Sequence, residues 1–241
     1  MTNVYSYYIL PSGTGEQVSR AEEVTYSGTL RIGLSGGMAY LTASSDEAEE
    51  ALTGFGVTHK DAGAYYQDLK TGWYGSADAS WIFNRRYGIG LKYKFFNTGA
   101  ATDGYFDPGD PFNIYYTTYI ENIYINYGGV LLSYYEPLGS QNLFTLYSSF
   151  SAGITFYRDE TEVFSEAILI TGKALGMDGT FGLEYRISPL ISAGAELSVF
   201  ASSLRSITFT DGETEQSQEL EKENYENLSR VEFSIGIRFY L

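Results

Sequence analysis

The chain has 241 residues, 44% hydrophobic and 17% aromatic, enough for one large β-domain or two small domains and too apolar for disorder throughout. It has no cysteine, which excludes disulfides and thiolate metal sites, and its formal net charge of -15 argues against binding a nucleic-acid backbone. No run of about 18 apolar residues is present, which excludes a transmembrane helix, and the opening MTNVYSYYILPSG lacks the basic and apolar parts of a signal peptide.

Residues 1–25 do not join the pattern that follows and read as a separate arm. Val4 to Leu10 could be a short strand, a plug or part of that arm, and Pro11 to Gly15 is a flexible break. From residue 26 onward, period-two alternation predicts eight strands. The first runs from Thr29 to Leu41, with Leu30, Ile32, Leu34, Met38 and Tyr40 on one face and Arg31, Gly33, Ser35, Gly37 and Ala39 on the other. The second, Gly72 to Phe83, sets Trp73, Ala77, Ala79 and Trp81 against Tyr74, Ser76, Asp78 and Ser80. The third, Tyr87 to Phe95, follows after only Asn84, Arg85 and Arg86, which predicts a tight hairpin with Asp78 opposite Lys92.

The fourth strand runs from about Thr118 to Ser133, and its apolar stripe reads as Ile123, Ile125, Tyr127 and Leu131. The fifth is Phe144 to Tyr157, the sixth Lys173 to Arg186 and the seventh Leu190 to Ala201. The eighth, Ser229 to Leu241, puts Val231, Phe233, Ile235, Ile237 and Phe239 on one face and Glu232, Ser234, Gly236 and Arg238 on the other. The less apolar face of these strands is mostly Gly, Ser, Ala and Thr with isolated charges. Such a face suits the inside of a narrow barrel whose apolar face meets lipid.

Short connections (84–86, about 134–143 and 187–189) alternate with long ones (42–71, 96–117, 158–172 and 202–228). An even strand number then puts both termini on the side of the short turns. The reading is an all-β, eight-stranded antiparallel up-and-down transmembrane β-barrel over residues 26–241, with long external loops. Residues 1–25 form an arm on the periplasmic side.

In strand count, loop alternation and aromatic carboxyl end, residues 26–241 resemble the small outer-membrane barrels of the OmpA transmembrane-domain and OmpX type. The terminal residue is Leu241 where that family commonly has Phe, with Phe239 and Tyr240 just before it. The resemblance implies the outer membrane of a Gram-negative bacterium and assembly by the barrel-insertion machinery.

Inside such a barrel, Arg31, Asp78, Lys92, Lys94, Glu184, Glu196, Glu232 and Arg238 form a charge network. These groups must pair or meet water, and Asp78 and Lys92 are expected to pair with each other. Trp73, Trp81, Tyr87 and Phe239 are expected to face lipid near the interfaces.

Acidic clusters lie in the long connections: Asp46, Glu47, Glu49 and Glu50; then Asp159, Glu160, Glu162 and Glu166; then seven acids between Asp211 and Glu226. They read as solvated loops that could meet surface glycolipid through divalent cations or bind a cationic partner. DPGDP at 107–111 is a turn cluster, and Asn227-Leu228-Ser229 fits a glycosylation sequon. His59, the only histidine, shares a loop with Ser44 and Ser45, but no G-x-S-x-G element or calcium-loop motif is present.

No catalytic residue, metal ligand or cofactor is therefore assigned. The preferred function is a monomeric, non-enzymatic surface barrel with a structural or interaction role. Its partners are membrane lipid and surface glycolipid, with a protein partner through the loops or the arm, and no nucleic acid. A narrow channel or transporter and a lipid-modifying enzyme are the alternatives.

Overall fold

The computed structural model describes residues 28–54, 56–84, 86–106, 115–139, 143–163, 166–210 and 214–241. The arm at 1–25, Arg85, the DPGDP turn, Asp211 and Glu213 lie outside these residues. The chain begins with β1 (Thr29–Leu41), followed by two helices, α1 (Asp46–Gly54) and α2 (His59–Lys70). Six strands follow: β2 (Thr71–Asn84), β3 (Tyr87–Phe106), β4 (Tyr115–Leu138), β5 (Phe144–Val163), β6 (Glu166–Arg186) and β7 (Ile191–Leu204). The short strands β8 (Ser206–Thr210), β9 (Glu215–Glu219) and β10 (Glu226–Asn227) precede β11 (Arg230–Tyr240).

Strands β1 to β7 pair antiparallel in chain order. β11 then lies between β7 and β1, closing a ring of eight. Where all eight strands overlap, closure leaves no free edge; beyond Asn97, β3 pairs only with β4 among the described residues. β8 and β9 continue outward from β6 as a hairpin.

The strands extend further than alternation alone predicts. β4, β5 and β6 have 24, 20 and 21 residues, whereas a tilted bilayer crossing needs about 9–11. Their far halves therefore stand beyond the apolar band as a wall. In these halves both faces carry polar groups, as in Thr117, Thr118, Glu121 and Asn122, so alternation of polarity fades while the ladder continues. The connections at 158–172 and 202–228 are largely strand, and the one at 42–71 is largely helix.

α2 begins at Thr58, whose hydroxyl oxygen accepts from the Asp61 backbone N–H at 3.2 Å and donates to the Asp61 carboxylate at 2.6 Å. Ala62, Tyr65 and Leu69 recur on its buried face. They pack with Leu41, Tyr119, Ile123, Ile125 and Leu228 into an apolar core that seats the helix at the ring's outer mouth. The Thr98 hydroxyl reaches the carbonyls of Asp68 and Thr71, tying β3 to the end of α2.

Around the ring, the outward residues form a continuous apolar band that includes Leu34, Leu91, Val130, Phe150, Leu175, Leu197 and Ile235, all exposed. Exposed apolar surface on this scale marks a membrane or a partner rather than water. Ring pairs Tyr87–Tyr134 and Phe144–Tyr185 flank the band at the short turns. Trp73, Phe95 and Tyr124 flank it at the far end.

One face assignment is reversed. Ile123, Ile125, Tyr127 and Leu131 of β4 point into the barrel and are buried, and Val130 and Leu132 point out. The alternation in β4 is apolar on both faces, so polarity could not choose between them. The inward stripe is apolar because it helps plug the barrel and line its outer core.

Candidate functional site: a filled lumen and an outer cup

Five cations and five carboxylates are buried in the lumen: Arg31, Lys92, Lys94, Arg230 and Arg238 with Asp78, Asp178, Glu184, Glu196 and Glu232. Near the short turns, Arg31 pairs with Asp78 and reaches Glu184 at 2.6 Å. Glu184 also accepts from the Tyr240 hydroxyl at 2.5 Å. Arg238 pairs with Glu196 and lies 3.6 Å from Glu184. The Arg31 guanidinium sits over the Tyr147 ring at 4.5 Å and near Tyr135 at 5.5 Å, so its faces are covered as well as its edges.

A second tier lies toward the outer end. Lys92 donates to Asp178 at 2.5 Å and to the Thr180 hydroxyl at 2.6 Å. Lys94 bridges Asp178 and Glu232, and Arg230 bonds Glu232 at 2.8 Å through Nε. The Arg230 guanidinium stacks over Phe200 at 4.0 Å and Phe96 at 5.0 Å. Tyr127 meets Phe200 edge-on at 5.1 Å. The interior is thus electroneutral and packed with rings, as a small barrel filled by side chains requires.

All eight predicted interior charges lie in this network, but one pairing differs. Asp78 and Lys92 are register partners across the hairpin, yet Asp78 is held by Arg31 and Lys92 by Asp178. Side chains that project into a narrow lumen meet across it as readily as along the wall. Asp178 and Arg230 were missing from the sequence-derived set, although parity places both on inward faces beside Glu184 and Glu232. Trp73, Trp81 and Tyr87 are exposed on the outer face, and Phe239 is half-buried there.

At the outer mouth, α1 and α2 help wall a cavity of about 400 Å³. Leu41, Ile123 and Ile125 contribute apolar wall from the barrel, joined by Tyr66, Leu69, Tyr157, Ile170, Ile207 and Leu228. Glu121, Asp159 and Glu226 also line it. The Tyr65 hydroxyl donates to Glu121 at 2.6 Å, linking α2 to β4. Asp159 accepts from the Tyr157 hydroxyl at 3.3 Å and the Thr161 hydroxyl at 3.1 Å.

Burial, with Glu121 nearby, pushes the Asp159 carboxyl up to about 7. Burial also raises Glu121, against the opposing hydrogen bond from Tyr65. Glu226, exposed on β10, is raised by the surrounding protein first and by Asp159 second. These groups lie beyond the apolar band, where Arg158 and Glu160 pair on the outer surface at 2.5 Å. Among the described residues, no three His, Cys, Asp or Glu side chains come close enough to hold a metal ion.

His59 is exposed at the start of α2. The Ser44 and Ser45 hydroxyls donate to Asp46 and Glu49, and Ser45 also accepts from Lys70 at 3.0 Å. Among the described residues, no hydrogen bond joins His59 to either serine.

No family model matches the chain, and no curated protein does. Among solved structures, it is similar to Neisserial surface protein A at 12% identity, covering 88% of this chain and 97% of that one with a TM-score of 0.45. The outer membrane protein OprG from Pseudomonas aeruginosa is also 12% identical, with 89% and 96% covered and a TM-score of 0.47. The outer membrane protease OmpT from Escherichia coli is 12% identical, with 92% and 100% covered and a TM-score of 0.42.

Proposed function

We propose that this protein is a monomeric, non-enzymatic barrel of a Gram-negative outer membrane, closed to ions, that carries a binding surface on its outer side. The observation that carries this reading is the inverted polarity of the ring. Ten buried charges neutralise one another inside, while leucines, valines and aromatics are exposed outside. Membrane lipid covers the band. The acidic outer segments meet surface glycolipid or a protein partner.

The aromatic plug and the paired charges argue for a structural lumen over a conducting one. Purified protein inserted into planar bilayers should give no discrete conductance steps, and its gel mobility in detergent should shift on boiling. Regular single-channel openings by the unmodified protein would overturn the closed-lumen reading. Solubility without detergent would overturn the membrane reading.

A further inference from the structure

We propose that the outer cavity binds a small organic cation with an apolar body, an arylalkyl or alkyl amine. The inference rests on the lumen being closed below, so that the cavity is a cup filled from outside rather than a vestibule. Its volume of about 400 Å³ falls in the range of small-molecule sites, about 300–1,000 Å³, which are mostly apolar with a few polar groups.

The wall chemistry selects the ligand class. Leucine and isoleucine side chains with Tyr66 and Tyr157 supply apolar and aromatic surface for the body. Glu121, Asp159 and Glu226 supply acceptors, and none of the three is in an ion pair among the described residues. Lys70, the cation on the wall, is held by the Ser45 hydroxyl. Glu121 is engaged by Tyr65; Asp159, buried and held by the Tyr157 and Thr161 hydroxyls, and the more exposed Glu226 are the pair for an ammonium group. The carboxylates are too dispersed for a bare metal ion. They suit a cation that carries its own apolar volume and can stack against tyrosine.

Burial, then the nearby Glu121, keeps the Asp159 carboxyl partly protonated near neutral pH. An ammonium group supplies the missing positive charge. Asp159 then ionises, and its proton leaves to solvent. Binding should therefore tighten as pH rises from 6 to 8.

The test is isothermal titration calorimetry of the full chain in non-ionic detergent with 2-phenylethylamine, and with 2-phenylethanol as the uncharged probe. At pH 6, titrations in two buffers of different ionisation enthalpy should give different heats, reporting proton release. The amine should bind and the alcohol should not. Glu226→Gln and Asp159→Asn should each weaken the amine by about tenfold or more, as loss of a charge-assisted bond predicts, with heat-modifiable gel mobility unchanged. Equal binding of amine and alcohol, unchanged amine binding in the Asp159→Asn/Glu226→Gln double variant, or no amine binding by the folded barrel would each overturn the inference. A barrel that stays closed but ignores the amine leaves the proposed function standing. A barrel that conducts overturns that function whatever the calorimetry gives.

Discussion

Asp78 and Lys92 face each other across the β2–β3 ladder, yet each is neutralised by a residue on another strand. Asp78 turns to Arg31 on β1, and Lys92 spans the lumen to Asp178 on β6. The charge network therefore ties distant walls of the ring together. Asp178 serves both Lys92 and Lys94, and Glu232 in turn serves Lys94 and Arg230.

That arrangement orders a set of variants. Asp178→Asn leaves two buried ammonium groups without their shared carboxylate and should destabilise the barrel by about 3–5 kcal/mol in denaturant titration. Lys92→Met should cost less, because Asp178 keeps Lys94. A double-mutant cycle should give strong coupling between Lys92 and Asp178 and near-additivity between Lys92 and Asp78. Coupling found instead between 78 and 92 would show that the network is paired along the hairpin.

The outer face makes a depth-dependent prediction. Leu91 lies in the apolar band and Tyr116 on the projecting half of β4, both on outward faces and 67% and 80% exposed. If both faced water, arginine would be harmless at either site. With the band in lipid, Leu91→Arg should destabilise by about 2–4 kcal/mol in refolding into vesicles, and Tyr116→Arg should be near neutral. Equal effects would mean that the band is not the lipid contact.

Gly33 tests the fit of the first charge tier. A Cβ there would stand 3.0 Å from the Asp78 carboxyl carbon and 3.2 Å from Arg31 Nη1, whereas one at Gly179 would meet nothing within 4 Å. Gly33→Ala should cost about 1–3 kcal/mol through forced repacking. Gly179→Ala should be neutral or nearly so. Denaturant midpoints of the two variants, measured side by side, decide it.

The cup should loosen with rising pH. Asp159 binds its proton more tightly in the folded protein, at about 7, than in the unfolded chain, where a carboxyl titrates near its ordinary value. Between those two values the folded state holds the extra proton, so stability falls as pH rises and levels off above about 7. Amide exchange in α2, corrected for the intrinsic pH dependence, should be faster at pH 8 than at pH 5.5. Asp159→Asn should flatten that difference. A difference that survives the substitution would assign the effect to another group.

The barrel was readable where one face is buried and the other exposed. β1 runs over the residues its alternation indicates, and the hairpin at Asn84 to Tyr87 falls where the charged break lies. The outer ends of β3 to β6 were not readable, because their outer face meets water while their inner face mixes Tyr119, Ile123 and Tyr157 with Glu121 and Asp159, so polarity does not alternate. α2 was signalled by Thr58 and Asp61 at capping distance and by Ala62, Tyr65 and Leu69 on one face, cues hidden in a stretch read as loop. The cup joins Glu121, Asp159 and Glu226 from three strands, and only the pairing of β4 with β5 and of β10 with β7 puts them on one wall.

The seam between β1 and β11 fixes the order of events in assembly. Every other neighbouring pair in the ring except β7–β11 joins strands consecutive in the chain, but Arg31 meets Tyr240 from about 200 residues away, a separation that is slow to close. Until it closes, the growing sheet is a ribbon with an apolar side and a side studded with charges. The ties from Arg31 to Glu184 and from Lys94 to Glu232 cannot form across a lumen that does not yet exist. Such a ribbon can rest on a lipid surface but cannot sink through it without carrying ionised groups into hydrocarbon. Crossing and circularisation must therefore proceed as one cooperative event, and a variant that delays the seam should accumulate as a surface-bound, protease-sensitive sheet.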